Sequence, residues 1–202
     1  MALLPAPAQA DFTINLLGPA IAWDSTGSSL TLSLRGSSGN QINGIGVTLP
    51  GGWTRIDVEG IFAAGGAQAL SVAYSGMWLR NSANGRIWFW GWRSQLSSLL
   101  QGQVQNWTST TARSGFIGPA YTTPRPRFLR VDCDGTNIIP YYGDDWDDIG
   151  YLPSEAASQT TIASFLLAKP DQAGICVIPD SLVGSGGPGM CVVNLVGWQV
   201  TS

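Results

Sequence analysis

The run Arg55-Ile56-Asp57-Val58-Glu59 sets two carboxylates two positions apart. In an extended strand such residues share a side. Paired carboxyl groups are the equipment of a glycosidase, which in its retaining form holds them about 5–5.5 Å apart. A second acidic group lies downstream. Asp132, Asp134, Asp144, Asp145, Asp147 and Asp148 put six of the thirteen acidic residues within 17 positions, with Asn137 among them. Oxygen ligands at that density suit a hard cation such as calcium. The spacing DCDGTN is not that of the roughly 12-residue calcium-binding loop, however. Asp134-Gly135 reads as a tight turn and GDDWDD as a solvated loop, so no metal site is assigned.

The third group is aromatic. Trp88, Trp90 and Trp92 alternate, so their rings share one face of one strand. Facing inward they form core, and Ile87, Phe89 and Gly91 then point the other way. Facing outward they form a platform that stacks on sugar rings or docks on a neighbour. Trp146 lies among Asp144, Asp145 and Asp147, a pairing of aromatic face and carboxylates suited to carbohydrate. The candidate glycan- or partner-binding residues are therefore Trp146, Asp144, Asp145, Asp147, Trp88, Trp90 and Trp92.

What the chain lacks narrows the chemistry further. It has no histidine, which removes Ser-His-Asp and Cys-His catalysis, the usual base near neutral pH and the commonest transition-metal ligand. Lys169, the single lysine, stands directly before Pro170 and is no Schiff-base candidate. No cofactor is implied, and the expected function is non-enzymatic.

These groups must be positioned by strands. Period-2 alternation and aromatic or β-branched runs recur between Gly, Asn, Ser and Asp punctuation. Strands are predicted at Ser29–Arg35, Ile42–Leu49, Trp53–Phe62, Leu70–Arg80 and Gly85–Trp92, with a hairpin at Asn81–Asn84. Residues 94–125 are polar and are expected to form one or two short strands with long loops. Arg127–Asp132 and Thr136–Tyr142 flank Cys133-Asp134-Gly135 as a hairpin, and Pro140 marks an edge strand or a bulge. Ser154–Ala168 reads as the one short helix. Gln172–Ile178 and Met190–Thr201 close the chain. This pattern is an all-β antiparallel sandwich, with an N-terminal arm over residues 1–19 and the sandwich over 20–202.

The order of these pieces resembles concanavalin-A-like (laminin-G-like) jelly rolls. PRFLRVDCDGTNIIPYYGDDWDDIGYL (126–152) is similar to their strand–turn–strand "LR-x-x-x-DG … YY-x-x-D-x-x-W". GMWLRNSANGRIWFWGW (76–92), KPDQAGICV (169–177) and VVNLVGWQV (192–200) resemble further strands of that fold. β-Glucanases on it carry E-x-D-x-E, with a nucleophile and an acid/base glutamate on one face. Arg55 stands here at the first of those positions, so the resemblance implies no nucleophile, and Asp57 and Glu59 are expected on a solvent-facing side. Signal-free, glycine-rich chains of this type look similar to bacteriophage virion proteins. The resemblance thus implies a tail-fibre module holding host-surface polysaccharide. The alternative is a capsid decoration protein clamping neighbouring capsomers, and a less favoured one is a polysaccharide-degrading enzyme.

Composition agrees with an assembly protein. Hydrophobic residues make up 44% but charged residues only 11%, against about 25% in an average soluble domain. The partners expected are other virion proteins and copies of this chain. The net charge of −3 and the absence of a basic stripe argue against nucleic acid. No run approaches the roughly 18 apolar residues of a membrane span. At the N-terminus MALLPAPAQADF lacks a positive start, and Pro5 and Pro7 cut its apolar run short of a signal peptide. The proline-bearing arm is expected to be held by a neighbouring subunit. Cys133, Cys176 and Cys191, an odd number in apolar runs, are expected to be buried thiols, with a Cys176–Cys191 bridge left open.

Overall fold

The structure, a computed structural model, describes residues 4–17, 20–36, 41–66, 72–95, 97–123, 127–143, 160–180 and 189–202. The strands in chain order are β1 (Ile14–Leu16), β2 (Ala20–Trp23), β3 (Leu30–Gly36), β4 (Asn43–Thr48) and β5 (Arg55–Gly66). Then come β6 (Val72–Arg80), β7 (Ile87–Gln95), β8 (Ser97–Ser109), β9 (Ala112–Thr123) and β10 (Phe128–Cys133). The last are β11 (Asn137–Gly143), β12 (Thr160–Thr161), β13 (Gln172–Asp180) and β14 (Gly189–Thr201). They form two seven-stranded sheets, ordered β1-β4-β13-β6-β7-β8-β9 and β12-β11-β10-β5-β14-β3-β2. Neighbouring strands pair antiparallel, for example β6 with β7 and β5 with β10. This is the expected antiparallel jelly-roll sandwich.

Alternation drives the two inner faces together. Ile56 and Val58 of β5, Leu129 and Val131 of β10, and Leu30 and Leu32 of β3 meet Trp88, Trp90 and Trp92 of β7 and Ile175 and Val177 of β13 in one core. The three tryptophans are therefore core, at 0–1% exposure, and present no platform to a ligand. Their polar edges are drawn into the sandwich as well. Trp88 Nε1 donates to Thr160 Oγ1 at 2.9 Å and Trp90 Nε1 to the Tyr141 carbonyl at 3.0 Å. Trp92 stacks edge-on against Tyr142, with centroids 5.2 Å apart.

The first sheet buries its other face too, which explains why β7 reads as an unbroken apolar run. Ile87 and Phe89 join Tyr74, Trp78, Trp107, Cys176 and Ile178 in a second cluster on the side away from the core. Glycines let these rings lie flat on the sheet. A Cβ on Gly46 would stand 2.5 Å from the Trp78 ring and 2.2 Å from the Ala173 carbonyl, and one on Gly91 2.8 Å from the Phe89 ring. Through that gap Trp78 Nε1 reaches the Ile175 carbonyl at 3.0 Å.

Several sequence expectations change. Residues 94–125 hold β8 and β9, strands of 13 and 12 residues, rather than short strands with long loops. β9 forms the edge of the first sheet, and β8 pairs with both β7 and β9. The helix expected at Ser154–Ala168 is not formed over its described part. Thr160–Thr161 pairs with β11 and Ile162–Ser164 makes a single 3-10 turn. Isolated helical turns are weak in themselves, and here Ile162 and Leu166 are taken up by the core instead. Pro140 lies in β11 next to the two-residue edge strand β12, which bonds only Asn137 and Ile138. Its missing N–H therefore costs no ladder bond to β12. The arm expected to reach a neighbour packs on its own sandwich, and β1 forms the edge of the first sheet beside β4. Cys133 is a buried free thiol. Cys176 is buried in the first sheet, whereas the backbone of Cys191 runs in the second.

Replacing Trp90 by alanine should leave the chain folded but cost about 3–5 kcal/mol, the usual penalty for emptying a buried tryptophan site. A urea midpoint that moves by less than a third of that would show that the three-tryptophan stripe is not central to the core.

Candidate functional site

β5 and β10 lie in a register that sets opposite charges face to face. Arg55 pairs with Asp132, Asp57 with Arg130, and Glu59 with Phe128, whose chain neighbour is Arg127. Alternation sends Ile56, Val58, Leu129 and Val131 into the core, which leaves the charged residues on the outer face of the second sheet. Three ion pairs follow. Arg55 grips Asp132 with two bonds, Nε at 2.6 Å and Nη2 at 2.8 Å. Arg130 Nε donates to Asp57 at 2.5 Å. Arg127 Nε donates to Glu59 Oε1 at 3.0 Å, and its Nη2 donates to the same oxygen.

The carboxylates of this ladder are not the solvent-facing pair that the sequence suggests. Asp57 is 4% exposed and Glu59 0%. Burial pushes the Asp57 carboxyl above its ordinary value, opposed by the hydrogen bond and charge of Arg130. Arg55 is raised by its hydrogen bond to Asp132. Glu59 is closed off by the N-terminal arm. Its Oε2 accepts the Leu4 backbone N–H at 3.0 Å, and Leu4 is seated over Gly197, where any Cβ would stand 2.6 Å from the Leu4 Cβ and 3.0 Å from the Glu59 Cβ. A buried charge persists only when it is paired and hydrogen-bonded, and both oxygens of Glu59 are engaged. Asp57 for its part is held by Arg130.

The ladder instead floors an open depression of about 540 Å3. Its lining includes Thr54, Arg55, Asp57, Arg130, Asp132, Asp134, Ile139, Gln199 and Thr201. Register arranges these in rows across four strands: Ile139, Asp132, Arg55, Thr201, and then Tyr141, Arg130, Asp57, Gln199. Four strands at roughly 4.8 Å spacing make a row about 14 Å wide. Each row carries donors and acceptors in the middle and an apolar or aromatic residue at one end. Two arginines stand against three aspartates, so the floor is close to neutral. The arrangement can hydrogen-bond a hydroxyl-rich molecule along its length.

Of the sequence-derived candidates, Trp88, Trp90 and Trp92 are core residues on the opposite sheet. Asp144, Asp145, Trp146 and Asp147 lie outside the described residues. Asp132 is held by Arg55. Asp134 caps its own turn, accepting the N–H groups of Thr136 at 2.8 Å and Asn137 at 2.6 Å, and these bonds hold its carboxyl below the usual range. Among the described residues no three acidic or thiol side chains converge on a metal position. Lys169 donates to the Trp53 carbonyl at 2.5 Å and lies over the Trp53 ring. Arg55, Arg130, Gln199 and Thr201 were not singled out as binding residues. For the two arginines the signal is the pair of runs RIDVE and RFLRVD, which, laid antiparallel, set Arg55 opposite Asp132 and Asp57 opposite Arg130.

No protein-family model matches the chain, nor does any curated protein. Solved structures do. A functionally unknown protein from Saccharomyces cerevisiae superposes at a TM-score of 0.58 with 11% identity, over 97% of this chain and 98% of that one. Alginate lyase A1-II', of polysaccharide lyase family 7, gives 0.52 with 10% identity over 98% and 92%. A β-glucanase from Bacillus licheniformis gives 0.48 with 10% identity over 96% and 93%. At such identities the first two likenesses show a shared sandwich fold and nothing about activity.

Two outcomes test this electrostatic picture. Arg127→Ala should destabilise the protein more than Arg55→Ala, because it strands a carboxylate with 0% exposure rather than one with 22%. Equal urea midpoints for the two variants would contradict it. Asp57 binds its proton more tightly in the folded chain, so the stability it contributes is present below the ordinary carboxylate range and is lost as pH rises through the raised value. Relative to the unsubstituted protein, Asp57→Asn should therefore gain stability as pH climbs from about 3 to about 6, as read by urea unfolding at each pH.

Proposed function

We propose that this chain is a non-enzymatic binding module that holds a neutral, hydroxyl-rich polysaccharide across β11, β10, β5 and β14. The observation that carries the reading is the polar depression whose floor is a ladder of ion-paired arginines and aspartates. Carboxylates already fixed by arginine are good, pre-oriented acceptors for sugar hydroxyls and poor acids or bases. The near balance of charge favours a neutral chain over a uronate or sulfated one. Tyr141, in register with Arg130 on the outer side, supplies an aromatic edge against which a sugar ring packs.

The wider setting is a bacteriophage virion, with the module in a tail or fibre touching host-surface glycan. Low charge and the lack of histidine, together with the sequence resemblance, support that setting. Within the single chain the arm from Leu4 to Leu16 is engaged with its own sandwich, so the decoration-protein reading stands second. Gold-labelled antibody on intact particles tests the placement, and label over the head rather than the tail would reverse it.

Binding is tested by calorimetry with neutral and acidic bacterial polysaccharides. The neutral ones should bind, and Gln199→Ala should weaken them by about tenfold, near 1.4 kcal/mol. No reducing ends or unsaturated products should accumulate on long incubation. Turnover of any polysaccharide would overturn the non-enzymatic reading, and a preference for acidic chains would overturn the ligand class.

A further inference from the structure

The N-terminal arm is tied down at both ends of a path that crosses from one sheet to the other. Leu4 donates to Glu59 on β5, and the Pro5 carbonyl accepts the Trp198 N–H of β14 at 2.8 Å, both on the second sheet. Phe12 then wedges edge-on between Trp23 and Trp198, with centroids 5.8 and 5.5 Å away. Ile14 to Leu16 finally pair with Gly46 to Gly44 at the edge of the first sheet. Leu4, Phe12 and Leu16 are all buried, at 5–6% exposure. The arm is thus a specific ligand for a groove that runs around the end of the sandwich.

The link that returns the chain from this groove is three residues long and begins at a strained position. β1 ends at Leu16 in the first sheet, and β2 starts at Ala20 in the second. Leu17 takes φ of +57°, a left-handed conformation that is costly for a residue with a Cβ. It is also 47% exposed, so no packing repays it. A short hinge under strain whose far side is a complete docking element favours exchange between copies.

We propose that residues 4–16 exchange between copies of this chain, each arm filling the Glu59–Gly197–Trp198 groove and pairing with β4 of its neighbour. Every contact described above is then kept, and only the link opens, so that Leu17 leaves its left-handed conformation. The partner is a second copy of the same chain. A short tether holds its own arm at an effective concentration in the millimolar range, so exchange takes hold where copies are crowded, as in an assembled particle.

The experiment uses the full chain and two substitutions at the exposed Leu17. Leu17→Gly relieves the strain of the closed form, and Leu17→Val increases it, since a β-branched residue tolerates this conformation worst. Each protein is incubated at rising concentration a few degrees below its melting point, cooled, and measured by size-exclusion chromatography with light scattering. Mixing tagged and untagged chains reads mixed dimers by pull-down. The unsubstituted chain should give a dimer whose share rises with concentration. Leu17→Gly should lower that share several-fold and Leu17→Val should raise it. A chain that stays monomeric throughout, or a dimer share indifferent to both substitutions, overturns the proposal. Neither result bears on glycan binding, which calorimetry reads on the monomer.

Discussion

A carboxylate with no access to water sits at the centre of the outer surface of this molecule. Glu59 lies in the middle strand of the second sheet, and an uncompensated charge there would cost several kcal/mol. Three separate parts of the chain meet that demand. Arg127 at the start of β10 supplies the counter-charge, the Leu4 amide supplies a second donor, and Gly197 at the irregularity in β14 leaves room for Leu4 to arrive. The register of β10 on β5, the course of the N-terminal arm and the bulge between Leu195 and Gly197 are therefore solutions to one electrostatic problem.

The same register produces the candidate site. Once Arg127 is drawn to Glu59, the next outward residues of β10 must fall opposite Asp57 and Arg55, and their charges are complementary. The ladder and the depression above it extend the Glu59 constraint by two further rungs. The interactions that make the carboxylates tolerable in a sheet are the same ones that fix their orientation on its outer face.

The two sheets answer different demands. The first carries apolar clusters on both faces, with Trp88, Trp90 and Trp92 directed inward and Trp78 and Phe89 laid over glycines on the other side. The second is apolar inside and carries the ion-paired ladder outside. A chain with so little charge concentrates much of what it has on β5 and β10, where charge sets register and surface chemistry at once.

The antiparallel sandwich and the hairpins around Asn81–Asn84 and Asp134-Gly135 were legible in the residues, because alternation and turn chemistry act over a few positions. The face taken by Trp88, Trp90 and Trp92 was not. Alternation groups them but does not say which side is core, and only the packing of a second sheet decides that. Over Thr160–Ala168, the described part of the expected helix, the chain takes another form for a similar reason, since Thr160 and Ile162 gain more from β11 and the core than from a lone helical turn. The aspartates and Trp146 of residues 144–148 drew attention by composition, whereas the ladder escaped it. Its members are up to 77 positions apart in the chain, and local pattern carries no information about which distant strand will lie alongside. The sequence by itself determined the class of fold and the chemistry available; the pairing of β5 with β10, made by charges that meet only on folding, decided where that chemistry is gathered.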